Sequence, residues 1–214
     1  MMPVDMNREY RKIDIGNMET RTDEEGRMVV EGYATTFNQP YTLMQDQRAV
    51  LDEQVDAAAF AECDMSDVIM QYDHAGRVFA RVKNGTLAVE PDEHGLKIRA
   101  YLGGTEIGRQ LYEEIAGGYT DKMSFGFTVA KDSVERGKTE DGRTKILRTI
   151  RKIGKLYDVS AVSLPANDAT EISARSIGDG LIAEAMEEVR AEEERAKRIE
   201  EIRKILKGEQ TDDK

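Results

Sequence analysis

The chain has 214 residues, 39% of them hydrophobic and 34% charged, with a formal net charge of −11. That length suits one domain with a real core plus a modest extension, and the charged fraction exceeds the roughly 25% of an average globular domain, so part of the chain is expected as solvated helix or tail. The acidic balance argues against nucleic-acid binding, which needs clustered Lys and Arg, and no apolar run reaches the ~18–20 residues of a membrane-spanning helix.

In chain order, the β-formers of RMVVEGYATTF follow the turn signal DEEG and predict a strand over residues 27–37. A second strand is expected over 48–55, a brief helix over 57–60, and a compact apolar strand, DVIMQY, over 67–72. The last of these ends at Asp73 and His74. Residues 86–90 and 96–102 alternate apolar with polar side chains around PDEHG, which predicts a hairpin. Ile107, Leu111 and Ile115 recur every four residues, so 105–118 reads as a helix with one buried stripe, Thr105 as its N-cap and Gly117–Gly118 as its stop. Strands are expected over 122–131, 145–153 and 155–164, with a charged loop over 132–143. Many strands and few helices give a mainly β (α+β) fold, a barrel or sandwich. Beyond 176–180 the composition shifts to Glu, Arg, Lys, Ala and Ile, predicting a charged helix over 181–207, with 208–214 as a disordered tail. The division expected is therefore a β domain over 1–176, a helical extension over 181–207 and the tail. Glu192 and Glu193 interrupt the apolar stripe of that helix, which makes a sustained coiled coil doubtful.

A serine hydroxyl is a poor nucleophile until a base takes its proton and a third group orients the base. His74 and His94 are the two histidines, and His94 reads as an exposed turn residue in PDEHG. His74, in YDHAGR, has small residues after it that leave room for substrate. Ser124, in MSFGF, precedes a glycine that permits close backbone approach. The N-terminus lacks the apolar stretch of a secretory signal. Cys63, the one cysteine, forms no intrachain disulfide, which fits a reducing cytoplasm. One Cys and two His make no recognisable zinc set, so neither metal nor cofactor is expected.

Several blocks occur in a telling order: EGYATTFN, QYDHAGRVFARV, NGTLAVEPDEHGLKIRAYL, GRQLYEEIAGG, MSFGF and LYDVSAVSLPANDA. Together they resemble the capsid-maturation (prohead) serine protease family typified by phage HK97, along most of residues 27–175. The resemblance implies a herpesvirus-protease-like β-barrel followed by the charged C-terminal helix. It implies a serine endopeptidase that cleaves the phage major capsid protein, its scaffolding segment and itself, inside the procapsid in the host bacterial cytoplasm. It further implies that Ser124 is the nucleophile, His74 the base and Asp158 the third member. The family commonly has Glu at that last place, so the Asp158 carboxylate sits one methylene short and the backbone or ring must come closer. Rival third members are Asp73 and His94, and Asp158 has a rival reading as an ion-pair partner of Arg151 or Lys152. Oxyanion donors are open among the backbone near Gly76 or Gly126 and the side chains of Arg77 and Arg148. The alternative function is a head-assembly or scaffolding protein with a relic protease domain; a homo-oligomer is left open.

Overall fold

The computed structural model describes residues 8–13, 18–162 and 168–206. In chain order its elements are β1 (Arg8–Ile13), β2 (Glu19–Thr22), β3 (Met28–Thr36), β4 (Tyr41–Gln45), β5 (Ala49–Val55), β6 (Ile69–Tyr72), β7 (Ala75–Arg81), β8 (Leu87–Pro91), β9 (Gly95–Tyr101), α1 (Glu106–Ala116), β10 (Lys122–Lys138), β11 (Thr144–Val162) and α2 (Asp168–Leu206). The protein is mainly β, and the larger sheet curls into a half-barrel.

That sheet runs β1-β10-β11-β5-β4, with β6 and β7 attached to the far end of β11. The 19-residue β11 is its spine. β10 pairs antiparallel along one edge, while the other edge is shared in parallel by β5 over Thr144–Ile150 and β6 over Asp158–Ala161. Four register shifts interrupt the β10–β11 ladder, and such bulges bend a strand and raise its twist, which lets so long a ribbon curl. The smaller sheet, β2-β3-β9-β8, packs across it. Val30, Ala34, Ile98 and Ala100 from this sheet meet Met70, Phe125, Phe127, Val159 and Ala161 from the larger one, all fully buried.

α1 forms as its stripe predicts: Leu111 and Ile115 are buried, and the Thr105 hydroxyl accepts from the Gly108 N–H at 3.1 Å. Residues 57–60 are not a helix but successive turns. The Asp56 carboxylate takes the Ala58 N–H at 2.9 Å, a local bond that competes with helix formation, and Ala59 and Phe60 drop into the core. The charged stretch 132–143, expected as a loop, instead carries β10 through Lys138, and the turn is confined to the residues just before β11.

α2 begins at Asp168, well before the expected residue 181, and runs through Gly178 and Gly180. Gly178 is buried where a Cβ would press on Met44 at 3.0 Å and Leu51 at 3.3 Å, so the missing side chain lets the helix lie close on the sheet. Ile182 and Ala185 then cover Ala49, Leu51 and Ile146. Further along, Ile199, Ile202 and Ile205 are exposed. The tail expected over 208–214 lies outside the described residues.

Candidate active site

Residues directly opposite one another on neighbouring strands share a face, and side chains alternate along each strand. Tyr10, Gly126 and Asp158 stand in one row across β1, β10 and β11; Ser124 and Ser160 stand in the next row of the same face. Their neighbours Met123, Phe125, Val159 and Ala161 point the other way into the core. Alternation thus forces the polar set out of the barrel interior while the strands themselves are anchored by apolar burial.

His74 arrives from the β6–β7 hairpin. Tyr72 pairs with Ala75, so Asp73 and His74 form a two-residue turn, and both take left-handed backbone angles, with φ of 47° and 56°. Two consecutive positive φ values define the turn type whose twist suits a tight hairpin. They are costly for non-glycine residues, and such strain collects at functional sites. The turn hangs the imidazole over the Ser124 face. His74 Nε2 lies 2.5 Å from Ser124 Oγ, and Nδ1 lies 2.5 Å from Asp158 Oδ1.

Asp158 reaches the ring because β11 carries an extra residue there. Gly126 pairs with Asp158 but Phe127 pairs with Leu156, leaving Tyr157 as a bulge. Ser160 Oγ donates to the same Asp158 Oδ1 at 2.8 Å. The other carboxylate oxygen is buried with no hydrogen-bond partner among the described residues, and Arg8 Nη1 stands 3.9 Å from it. Gly126 makes room for this carboxylate: a Cβ there would collide with it and come within 2.8 Å of the Tyr10 ring.

β1 lies directly against the Ser124 strand. Tyr10 sets its ring edge-on to His74 at 4.5 Å, and the Arg11 carbonyl is 3.0 Å from Ser124 Oγ. The hydroxyl has one hydrogen and two acceptors in reach, His74 Nε2 and this carbonyl. Ser124 is only 1% exposed. The opposite side of β1 is held by a buried ionic cluster. The Arg11 guanidinium contacts Glu9 and donates to Glu53 at 2.5 Å, while Arg148 donates to Glu9 at 2.8 Å, to Glu53 at 2.8 Å and to Asp132 at 2.7 Å. Tyr41 adds a hydroxyl bond to Glu53 at 2.5 Å. Burial pushes the Glu53 carboxyl upward, but the two guanidiniums more than offset this and hold it below its usual range.

The rivals fall elsewhere. Arg148 is committed to the ionic cluster on the opposite face of the sheet, which removes it from the oxyanion candidates. Arg151 pairs with Asp56 and Lys152 with Glu62, so neither holds Asp158. His94 sits at its hairpin turn with its ring edge-on to Tyr33 at 4.6 Å. Asp73 lines, with Tyr72, Arg77, Phe79, Leu111 and Glu114, an open cleft of about 530 Å³ between the His74 hairpin and α1. The Cys63 thiol is pushed up to about 11, chiefly by burial, so it is a poor nucleophile near neutral pH. No group of three metal-ligating side chains, and no helix long and apolar enough to cross a membrane, occurs among the described residues.

The sequence residues missed by pattern reading were those of β1, together with Ser160. The D-x-S spacing of Asp158 and Ser160 on one strand was the available signal for the latter, since residues two apart share a face.

No curated protein matches the chain in sequence. Among solved structures it is similar to the bacteriophage T4 capsid assembly protease, gp21, at 11% identity and a TM-score of 0.38, over 74% of this chain and 96% of that one. A family model described as caudovirus prohead serine protease matches residues 16–183, a span that includes His74, Ser124 and Asp158. With most of its length matched, the chain belongs to the caudovirus prohead serine protease family.

Proposed function

We propose that the protein is an active serine endopeptidase in which Ser124 attacks the peptide carbonyl, His74 takes and returns the proton, and Asp158 orients the ring. The observation that carries this reading is the run of contacts from Ser124 Oγ to His74 Nε2 and from His74 Nδ1 to Asp158 Oδ1, each at 2.5 Å. With Nδ1–H donated to the carboxylate, Nε2 is left as the acceptor for the hydroxyl proton, and the carboxylate stabilises the imidazolium that forms on attack. The acyl-enzyme is then opened by a water that gives its proton to the same nitrogen. Backbone N–H groups near Gly76 or Gly126, or the Arg77 guanidinium, are the donors proposed for the oxyanion.

The substrates proposed are the phage major capsid protein with its scaffolding segment, and the protease itself, cleaved within the assembling procapsid in the host cytoplasm. Membership of a prohead protease family supports this. The same membership supports assignment of the curled sheet to the herpesvirus-protease-like barrels and of the enzyme to the HK97 type. Coexpression with the capsid protein, followed by mass measurement, tests the reading. Wild type is expected to shorten the capsid protein, whereas Ser124→Ala leaves it intact. Equal processing by both would remove the catalytic assignment, and processing by neither would favour a scaffolding role with a relic site.

A further inference from the structure

We propose that Ser160 is a positioning residue that fixes the rotation of the Asp158 carboxylate so that Oδ1, and not Oδ2, faces His74. The inference rests on the catalytic reading above and assigns a fourth member to that site.

A carboxylate on a short side chain can turn about its last torsion and exchange its two oxygens, because that torsion is broad and nearly two-fold. Here the two oxygens meet unlike surroundings. Oδ1 takes two bonds, from His74 Nδ1 at 2.5 Å and from Ser160 Oγ at 2.8 Å, whereas Oδ2 has no hydrogen-bond partner among the described residues. Ser160 is 0% exposed, so its hydroxyl has no water to turn to and its hydrogen goes to Oδ1. The position of that hydroxyl is set by the ladder: Ser160 pairs with Ser124 on one side and with Gln71 of the parallel strand β6 on the other. A strand paired on both edges holds its side chain far more firmly than a loop would. One rigid side chain therefore prescribes which oxygen accepts from the ring.

The need for this device follows from the length of the third member. An Asp carboxylate depends on accurate placement to keep a bond to Nδ1, and rotation alone would bring Oδ2, hemmed in by Gly126 and the Tyr10 ring, into competition. A serine on the adjacent strand is not the second nucleophile that its neighbourhood suggests. Its hydroxyl is committed to the carboxylate, and His74 Nε2 makes its contact with Ser124.

The test is steady-state cleavage of a capsid-derived peptide by purified full-length Ser160→Ala, Asp158→Ala, the double variant and Ser124→Ala, with folding checked by thermal melting. Loss of a hydrogen bond to a charged group predicts that Ser160→Ala lowers kcat by about 10- to 100-fold with KM nearly unchanged. In the Asp158→Ala background the same change is expected to have no further effect, since the group it positions is gone. Ser160→Thr, which keeps the hydroxyl, is expected to recover most of the rate. A wild-type kcat for Ser160→Ala overturns the proposal, as does an equal loss in both backgrounds, which would mark a structural role only. Failure of the underlying catalytic reading is recognised separately, by wild-type cleavage in Ser124→Ala.

Discussion

Gly126→Ala adds one methyl group at the back of the site and touches none of the proposed reacting atoms. The new Cβ would stand 2.8 and 3.1 Å from two carbons of the Tyr10 ring and closer still to Asp158 Oδ2, where ordinary contact begins at 3.4 Å. The carboxylate must therefore retreat by roughly 1 Å, a misplacement that typically costs about 100-fold in rate. Moving it that far takes the 2.5 Å contact with His74 Nδ1 beyond hydrogen-bond length. Overpacking of this kind costs about 1–3 kcal/mol, equivalent to a fall in Tm of about 2–4 °C per kcal/mol for a chain of this size, so the protein should remain folded near room temperature. The assay is kcat on a capsid-derived peptide alongside thermal melting. Gly154→Ala, on β11, is the control: its Cβ would meet only Thr128 at 3.4 Å and Ala130 at 3.7 Å, and its kcat should be unchanged. If Gly126→Ala kept kcat within about threefold, the claim that the placement of Asp158 controls the rate would fail. An equal loss in Gly154→Ala would refute it as well.

Glu53 supplies a pH dependence whose sign is fixed. Its folded carboxyl is held below the ordinary value of 4.5, so the stability it contributes is fully present above that pH and is withdrawn as the pH falls through the folded value. Glu53→Gln, which leaves Arg11 and Arg148 short of a countercharge, should cost about 3–5 kcal/mol at pH 7 and flatten the acid limb of stability; urea unfolding from pH 3 to 7 checks both, and a loss below about 1 kcal/mol would refute it. Asp158→Glu lengthens the side chain by one methylene, yet the Asp carboxylate already touches His74 and its pocket is closed by Tyr10 and Gly126. A fall in kcat of about tenfold or more is expected, and a wild-type rate would show that the pocket is looser than described.

Where burial is apolar, sequence pattern and structure agree. The Ile107–Ile115 stripe became α1, the two alternating runs around PDEHG became β8 and β9, and the blocks carrying His74, Ser124 and Asp158 are brought within hydrogen-bond reach of one another. β1 was illegible because its core-facing side chains are Glu9 and Arg11, so the usual signal is inverted: charge marks the buried face, and only a partner far along the chain makes it burial-worthy. The charged residues of 132–138 hid a strand for a related reason. That part of the ribbon keeps solvent on much of its surface, so period-two alternation of apolar residues has nothing to enforce it. α2 was cut short because its start was placed where the composition turns to Glu, Arg, Lys, Ala and Ile, beyond 176–180, whereas the helix already runs through Gly178, which packs closely on Met44 and Leu51. β7 and the turn before it were missed because Asp-His is an unusual pair for consecutive left-handed residues.

The short Asp158 side chain is brought to His74 from both directions. On one side the Tyr157 bulge breaks strict alternation, so that Leu156 and Val159 both reach the core with two residues between them, and the strand bends where Asp158 stands. On the other, the left-handed pair at Asp73 and His74 folds the hairpin tightly enough to lower the ring onto the sheet. The left-handed pair costs conformational energy that a glycine turn would avoid. The convergence of both features on one 2.5 Å contact is what a short orienting group requires: the bulge and the turn together close the distance that the Asp side chain cannot span by itself.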